Sequence, residues 1–459
     1  MKKTLILAAF LLSSALGSVA NAQLSPAITS WLRNTTRTGT YYVSGNPTAI
    51  SNGILVNCQS VEYSANSVYI RATGVPAHPT GPFLDRNPSN ATNQNAIFQF
   101  PLTPVKNTGT PTPTTGGNIG VFINGVALFD YRDGVAWNAS TNSLCGGPGN
   151  APCAGGMNAT QAWNRDAVIA ERSGFDCAKA HPAMGNYHYH QNPSAFKLDL
   201  KVISTICNLY DAEGLYAIDS TKHSPLIGFA YDGFPIYGAY AFRNLDGTGG
   251  IVRMKSSYQL RNITRRTTSP TGAAVTAGPD VSTTYPLGYF REDYEFVVRA
   301  GQNDFLDEHN GRFCVTPEYP RGIYCYFATV DANWNSAYPY VVGPTFYGVY
   351  ANRKVTAITE TITRFTGTTS VRSQLQEGLE FNVFPNPSNE FVALQALGLN
   401  KEDVKVELFD VSGKLVQKSI LRQGTTTTYL DTRTLYAGTY LVKLTGTSGT
   451  TMKKLVISK

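Results

Sequence analysis

Two stretches, GVFINGVALF (residues 120–129) and GFAYDGFPIY (residues 228–237), decide how this chain reads. Both run Gly, three residues, Asn-Gly or Asp-Gly, any residue, Ala or Pro, aliphatic, aromatic. Asn-Gly and Asp-Gly are preferred in two-residue hairpin turns, where both turn residues take positive φ. Each stretch therefore reads as a hairpin with aliphatic and aromatic arms. A second pair of matches follows, GNYHYH (185–190) after the first hairpin and GIYCYF (322–327) after the second, both Gly-x-Tyr-x-Tyr. FDCAKAH (175–181) and LDEHNGR (306–312) precede them. The order of elements is the same, so the expectation is two divergent copies of one β-rich unit, separated by different insertions.

Composition points the same way. The chain has 459 residues, room for two or three domains. Only 15% are charged, against ~25% in an average globular chain. It holds 42 Gly, 25 Pro, 26 Tyr and 22 Phe, which suits short aromatic strands joined by turns. The net charge of +7 is diffuse. No Lys/Arg run forms a nucleic-acid patch, so no nucleic-acid partner is expected. There is no GxSxG elbow, P-loop, HExxH or dinucleotide fingerprint. One helix is expected, Ala159 to Glu171, capped by Asn158 and spaced by Ala162, Ala167 and Ala170.

The N-terminus reads as an export signal over residues 1–22. Lys2 and Lys3 give the positive start, Leu5 to Leu12 the apolar core, and Ala20-Asn21-Ala22 the cleavage site. No later stretch is apolar for the ~18 residues of a span, so no transmembrane helix is expected in the mature chain. An exported chain with 7 Cys is expected to carry disulfides. Two local pairs stand out: Cys145 with Cys153, across a Gly/Pro loop, and Cys314 with Cys325, across TPEYPRG. The competing assignment leaves Cys325 a free thiol. Residues 23–355 form one long β-rich segment, 356–380 a Thr-rich linker, and 381–459 a small immunoglobulin-like β-sandwich of alternating strands.

The histidines carry the candidate chemistry. On a strand, side chains alternate faces, so His188 and His190 share one face and Tyr187 and Tyr189 the other. His181 lies seven residues before His188, across a loop holding Pro182 and Gly185, and can return as a third ligand. Three neutral imidazoles suit zinc or copper and leave a position open for water. Asp176, Glu171 or His223 would then orient a ligand or act as base. At the matching positions of the second copy stand Cys325 and Phe327, which cannot build the same site. His309 would face the site if the two halves pack about a pseudo-twofold axis. The alternative is a packed strand whose imidazoles bond neighbouring carbonyls.

The tail resembles the type A C-terminal sorting domain of the type IX secretion system. The motifs are FNVFPNPSNEFVAL (381–394), VELFDVSGKLV (406–416), LYAGTYLVKL (435–444) and a basic last strand ending at Lys459. The resemblance implies type IX machinery as partner, passage from periplasm through the outer membrane, tail removal, and release or attachment at the cell surface. Residues about 118–350 resemble the YHYH-domain proteins. The carrying segments are DAVIAERSGFDCAKAHPAMGNYHYHQNP (166–193), HSPLIGFAYDGFPIYG (223–238), LDEHNGRFCVTPEYPRGIYCYF (306–327) and YPYVVGPTFYG (338–348). That family implies an exported β-rich domain but supplies no activity. Its Asp-x-Cys-x-Gly-His pattern stands here as Asp176-Cys177-Ala178-Lys179-Ala180-His181, without the Gly. Three functions follow: an exported protein binding a metal or ligand through its histidines, a metal-dependent extracellular hydrolase or oxidase, or a purely structural disulfide-stapled surface protein.

Overall fold

A computed structural model describes residues 24–83, 90–193, 218–367, 381–396, 402–411, 413–446 and 449–459. The export signal expected over residues 1–22 lies outside them. The chain divides into two compact units, Met1–Gly367 and Thr368–Lys459.

The first unit is organised by an eight-stranded sheet. Its strands are β1 (Asn118–Phe122), β2 (Ala127–Phe129), β3 (Ala180–Ala183), β4 (Asn186–Tyr189), β5 (Leu226–Ala230), β6 (Pro235–Tyr237), β7 (Gly311–Cys314) and β8 (Ile323–Phe327). Their order across the sheet is β3-β4-β2-β1-β5-β6-β8-β7. In the first half, β1 and β2 form a hairpin, β4 lies parallel to β2, and β3 pairs antiparallel with β4. In the second half, β5, β6, β8 and β7 repeat those relations. The halves meet where β1 runs antiparallel to β5, with Gly120 opposite Ala230 and Phe122 opposite Gly228. That register maps onto itself when the halves are exchanged, so the duplication read from the sequence is a pseudo-twofold axis through the sheet. The motif glycine is needed here: a Cβ on Gly228 would stand 2.7 Å from the Val121 carbonyl oxygen.

The hairpin turns differ from the expected type, and differ identically. Gly125 N–H donates to the Phe122 carbonyl (2.8 Å) and Phe122 N–H to the Val126 carbonyl (2.9 Å). In the second copy Gly233 donates to Ala230 (2.8 Å) and Ala230 to Phe234 (2.9 Å). Only the glycines take positive φ, 76° and 93°. Each loop is thus a three-residue turn closed by a left-handed Gly, not a two-residue turn with both φ positive.

A five-stranded sheet packs on the same core. Its centre is Cys58–Tyr63, Ser67–Ala72 and Ala96–Pro101, flanked by Lys354–Val355 and Thr363–Arg364. Val61, Ile70 and Phe100 from this sheet share one apolar cluster with Val121 and Phe229 of the other. Fully buried Trp31 joins them, its ring 5.7 Å from Phe100 and 5.4 Å from Phe229. The Thr-rich stretch contributes an edge strand here through Thr363–Arg364, and buried Phe365 donates its N–H to Val61.

The expected thirteen-residue helix is mostly absent. Residues Asn164–Asp166 form a strand, and only Ala167–Glu171 (α1) is helical, capped by the Asp166 carboxylate accepting from Val168 N–H. Tertiary contacts override the alanine spacing. Trp163 is buried against Phe290 with its indole N–H on the Thr276 carbonyl, and Ala159 packs on the cysteine pair 145–153. Cys145 and Cys153 are bonded, as expected, with Cα atoms 4.9 Å apart. Cys314 and Cys325 are free and buried, which overturns the second bridge. The register explains this. Cys314 lies opposite Ile323 and Cys325 opposite Arg312. The two are diagonal neighbours rather than a directly facing pair.

The second unit is a β-sandwich. One sheet holds Phe381–Phe384, Phe391–Ala396 and Thr427–Asp431; the other holds Leu415–Leu421, Val404–Asp410, Gly438–Gly446 and Gly449–Ile457. Phe381, Val392, Leu394 and Leu430 face Val406, Leu408, Val442 and Leu455 across its core.

Candidate metal centre

β3 and β4 are joined by a tight turn, and His181 lies directly opposite His188. His190 follows β4 by one residue and returns to the same face. The three side chains are buried, and one ring nitrogen from each lies within 4.8 Å of the others. His188 Nε2 and His190 Nε2 are 3.0 Å apart. Glu171, the last residue of α1, brings Oε2 to 3.2 Å from His181 Nε2 and 3.3 Å from His190 Nε2. Apart from these histidines, that oxygen has no hydrogen-bond partner.

The opposite face of β4 holds the strand in place. Tyr187 O–H donates to the Asp176 carboxylate at 2.8 Å, and the Tyr189 hydroxyl lies 2.6 Å from His78 Nε2. The alternation read from the sequence is therefore the arrangement found. Phe129 stacks on His188 at 3.8 Å, and Phe175 covers His190 at 6.1 Å, which fixes both ring planes.

Two tautomers follow from the hydrogen bonds. His188 Nδ1 is 2.8 Å from the Asn186 carbonyl oxygen, and His190 Nδ1 is 2.6 Å from that of Asp130. A carbonyl only accepts, so each Nδ1 carries the proton and each neutral ring turns a bare Nε2 lone pair inward. Two such lone pairs and a carboxylate oxygen converge at one buried point. Acceptors facing one another repel unless a cation lies between them. A proton could serve, but burial holds His188 well below the usual imidazole range. Burial alone would raise the Glu171 carboxyl, and only positive charge at the His181 and His190 positions holds it well below the usual range. A metal ion answers the same need without protonating a buried ring. Imidazoles whose second nitrogen donates to a carbonyl are the usual form of metal-ligating histidine. Three donor separations, 3.0–3.3 Å, are near the ~3.3 Å edge of a tetrahedron with bonds of ~2.0–2.1 Å, while the histidine nitrogens as a set spread over up to 4.8 Å.

Of the three auxiliary candidates, Glu171 alone reaches the cluster. Asp176 sits behind β4, accepting from Tyr187, Gly81 N–H and Ala178 N–H. His223 belongs to the second half, with its ring against Tyr237 and Phe242. His309 bonds the Thr345 hydroxyl at 2.6 Å rather than facing the site. The sequence reading gave no role to the Asp130 carbonyl or to Phe129, because both arrive through the parallel pairing of β4 with β2.

Two protein families match the chain. Residues 97–339, just over half of it, match the family described as YHYH protein. Residues 382–458 match the secretion system C-terminal sorting domain. That tail marks the protein for type IX export to the cell surface or medium. No helix among the described residues is long and apolar enough to cross a membrane. No curated protein matches the chain.

Proposed function

The chain belongs to the YHYH protein family, and we propose that His181, His188 and His190 bind one zinc or copper ion, with Glu171 as the fourth donor. The observation carrying this reading is the convergence of acceptor atoms whose protons are committed elsewhere. Nitrogen donors with one carboxylate suit zinc, and imidazole suits copper as well. With Glu171 in place, the four-donor set leaves no position for a substrate water. The arrangement therefore favours an ion that ties β3, β4 and α1 together over a hydrolase or oxidase centre. In the same reading, residues 1–22 and 381–459 serve export and are absent from the mature surface protein. C-terminal peptide mapping of surface protein tests that part, and recovery of Lys459 contradicts it.

Metal analysis of the purified protein tests the centre. One ion per chain is expected, falling to background in His188→Ala. A folded wild type that takes up no stoichiometric zinc or copper contradicts it.

A further inference from the structure

Beside the metal centre lies a cavity of about 400 Å³ that the four metal donors do not use. Its walls come from neighbours of those donors. Arg172 follows Glu171, Gln191 follows His190, and Phe175, which covers His190, also lines the cavity. Tyr258, Tyr294 and Tyr338 supply an aromatic wall, with Tyr294 stacked on Tyr338 at 4.1 Å.

Three features define what fits. First, the lining carries three cations, Arg172, Arg253 and Lys255, against one carboxylate, Asp331. The Asp331 oxygens are taken up within its own turn by Asn333 N–H, Asn335 N–H and the Asn335 side chain. Lys255 already pairs with Asp304 at 2.7 Å, and Arg253 gives one N–H to the Val330 carbonyl. The half-buried Arg172 is thus the group best placed to fork onto a ligand carboxylate. Second, Gln191 lines the cavity but is only 2% exposed, so it bounds the space without offering its buried Oε1 to a ligand. Third, the volume lies in the range of small-molecule sites, and the tyrosine wall offers ring faces to a flat apolar surface.

We propose that this cavity binds a single-ring carboxylate, with the acid on Arg172 and the ring against Tyr294. The site goes beyond the metal reading and stands without it. Calorimetric titration with sodium glucuronate tests it, with glucose and acetate as the neutral and ringless controls and metal content measured on every sample. Glucuronate should bind at least ~10-fold tighter than either control, the scale of one well-made polar contact. Arg172→Ala should remove about that advantage, with melting temperature and metal content unchanged. Glucuronate binding no tighter than acetate, or binding indifferent to Arg172→Ala, overturns the proposal whatever the metal content.

Discussion

The two halves of the eight-stranded sheet share a frame and differ in what they mount on it. In the first half Asp176 accepts from Tyr187 O–H and Ala178 N–H, and its own N–H returns to the Ala180 carbonyl. In the second half Asp307 accepts from Tyr324 O–H and His309 N–H, and its N–H returns to Gly311. Even the left-handed residue recurs, Lys179 at φ 64° and Asn310 at φ 66°. Facing the other way, His181, His188 and His190 become Arg312, Cys325 and Phe327. There the Cys325 thiol and then Arg312 draw the Cys314 thiol down to about 7. One backbone device therefore holds a strand in both halves, and only one half has acceptors converging on a point. The lesson is that frame and site are separable. Mutations of the Asp–Tyr device should act alike in both halves, and mutations of the mounted residues should not.

The largest effect expected is on metal affinity. His188→Ala or His190→Ala should weaken zinc binding by well over the ~10–100-fold typical of second-shell losses. Cys325→Ala, at the matching place in the other half, should leave it unchanged. Competition against a chelating dye measures both. Loss of affinity in Cys325→Ala would break the comparison.

Next comes the shared frame. Asp176 is buried and Asp307 half-buried, and each is bonded several ways, so Asp176→Ala and Asp307→Ala should each cost about 3 kcal/mol of stability. Urea unfolding reads this directly, and a large cost in one half alone would show that the frame is not shared.

A subtler test uses pH. Burial raises the Asp176 carboxyl to about 7, against ~3.9 unfolded. The folded state then holds the proton more tightly, so its contribution is full below ~4 and is lost as pH rises through about 7. The stability difference between wild type and Asp176→Asn should therefore fall over that window and flatten above it. A constant difference from pH 4 to 8 would place the carboxyl in its ordinary range. The smallest effect is expected from Tyr187→Phe and Tyr324→Phe, about 1 kcal/mol each, without change in metal content.

Much of the frame was legible in the sequence because it is local. The matched hairpins at 120–129 and 228–237 show the duplication, and period-two alternation separates His188 from Tyr189. The His181–His188 pairing needed only a short hairpin. What escaped is what depends on distant partners. Trp163 finds Phe290 and Thr276, so the alanine spacing from Ala159 becomes helical only from Ala167. Cys314 and Cys325 are close in sequence, but their spacing does not reveal that the register sets them diagonally. The place of Glu171 in the cluster likewise depends on where α1 packs, although its sequence position made it a candidate.

X-ray absorption at the zinc edge, on protein loaded with one equivalent, tests the central claim most directly because it separates the halves by element. An ion held by His181, His188, His190 and Glu171 gives a shell of nitrogen and oxygen only, at ~2.0–2.1 Å, with imidazole scattering beyond it. A sulfur shell at ~2.3 Å would place the ion on free cysteines such as Cys314 and Cys325 and contradict the assignment to His181, His188 and His190.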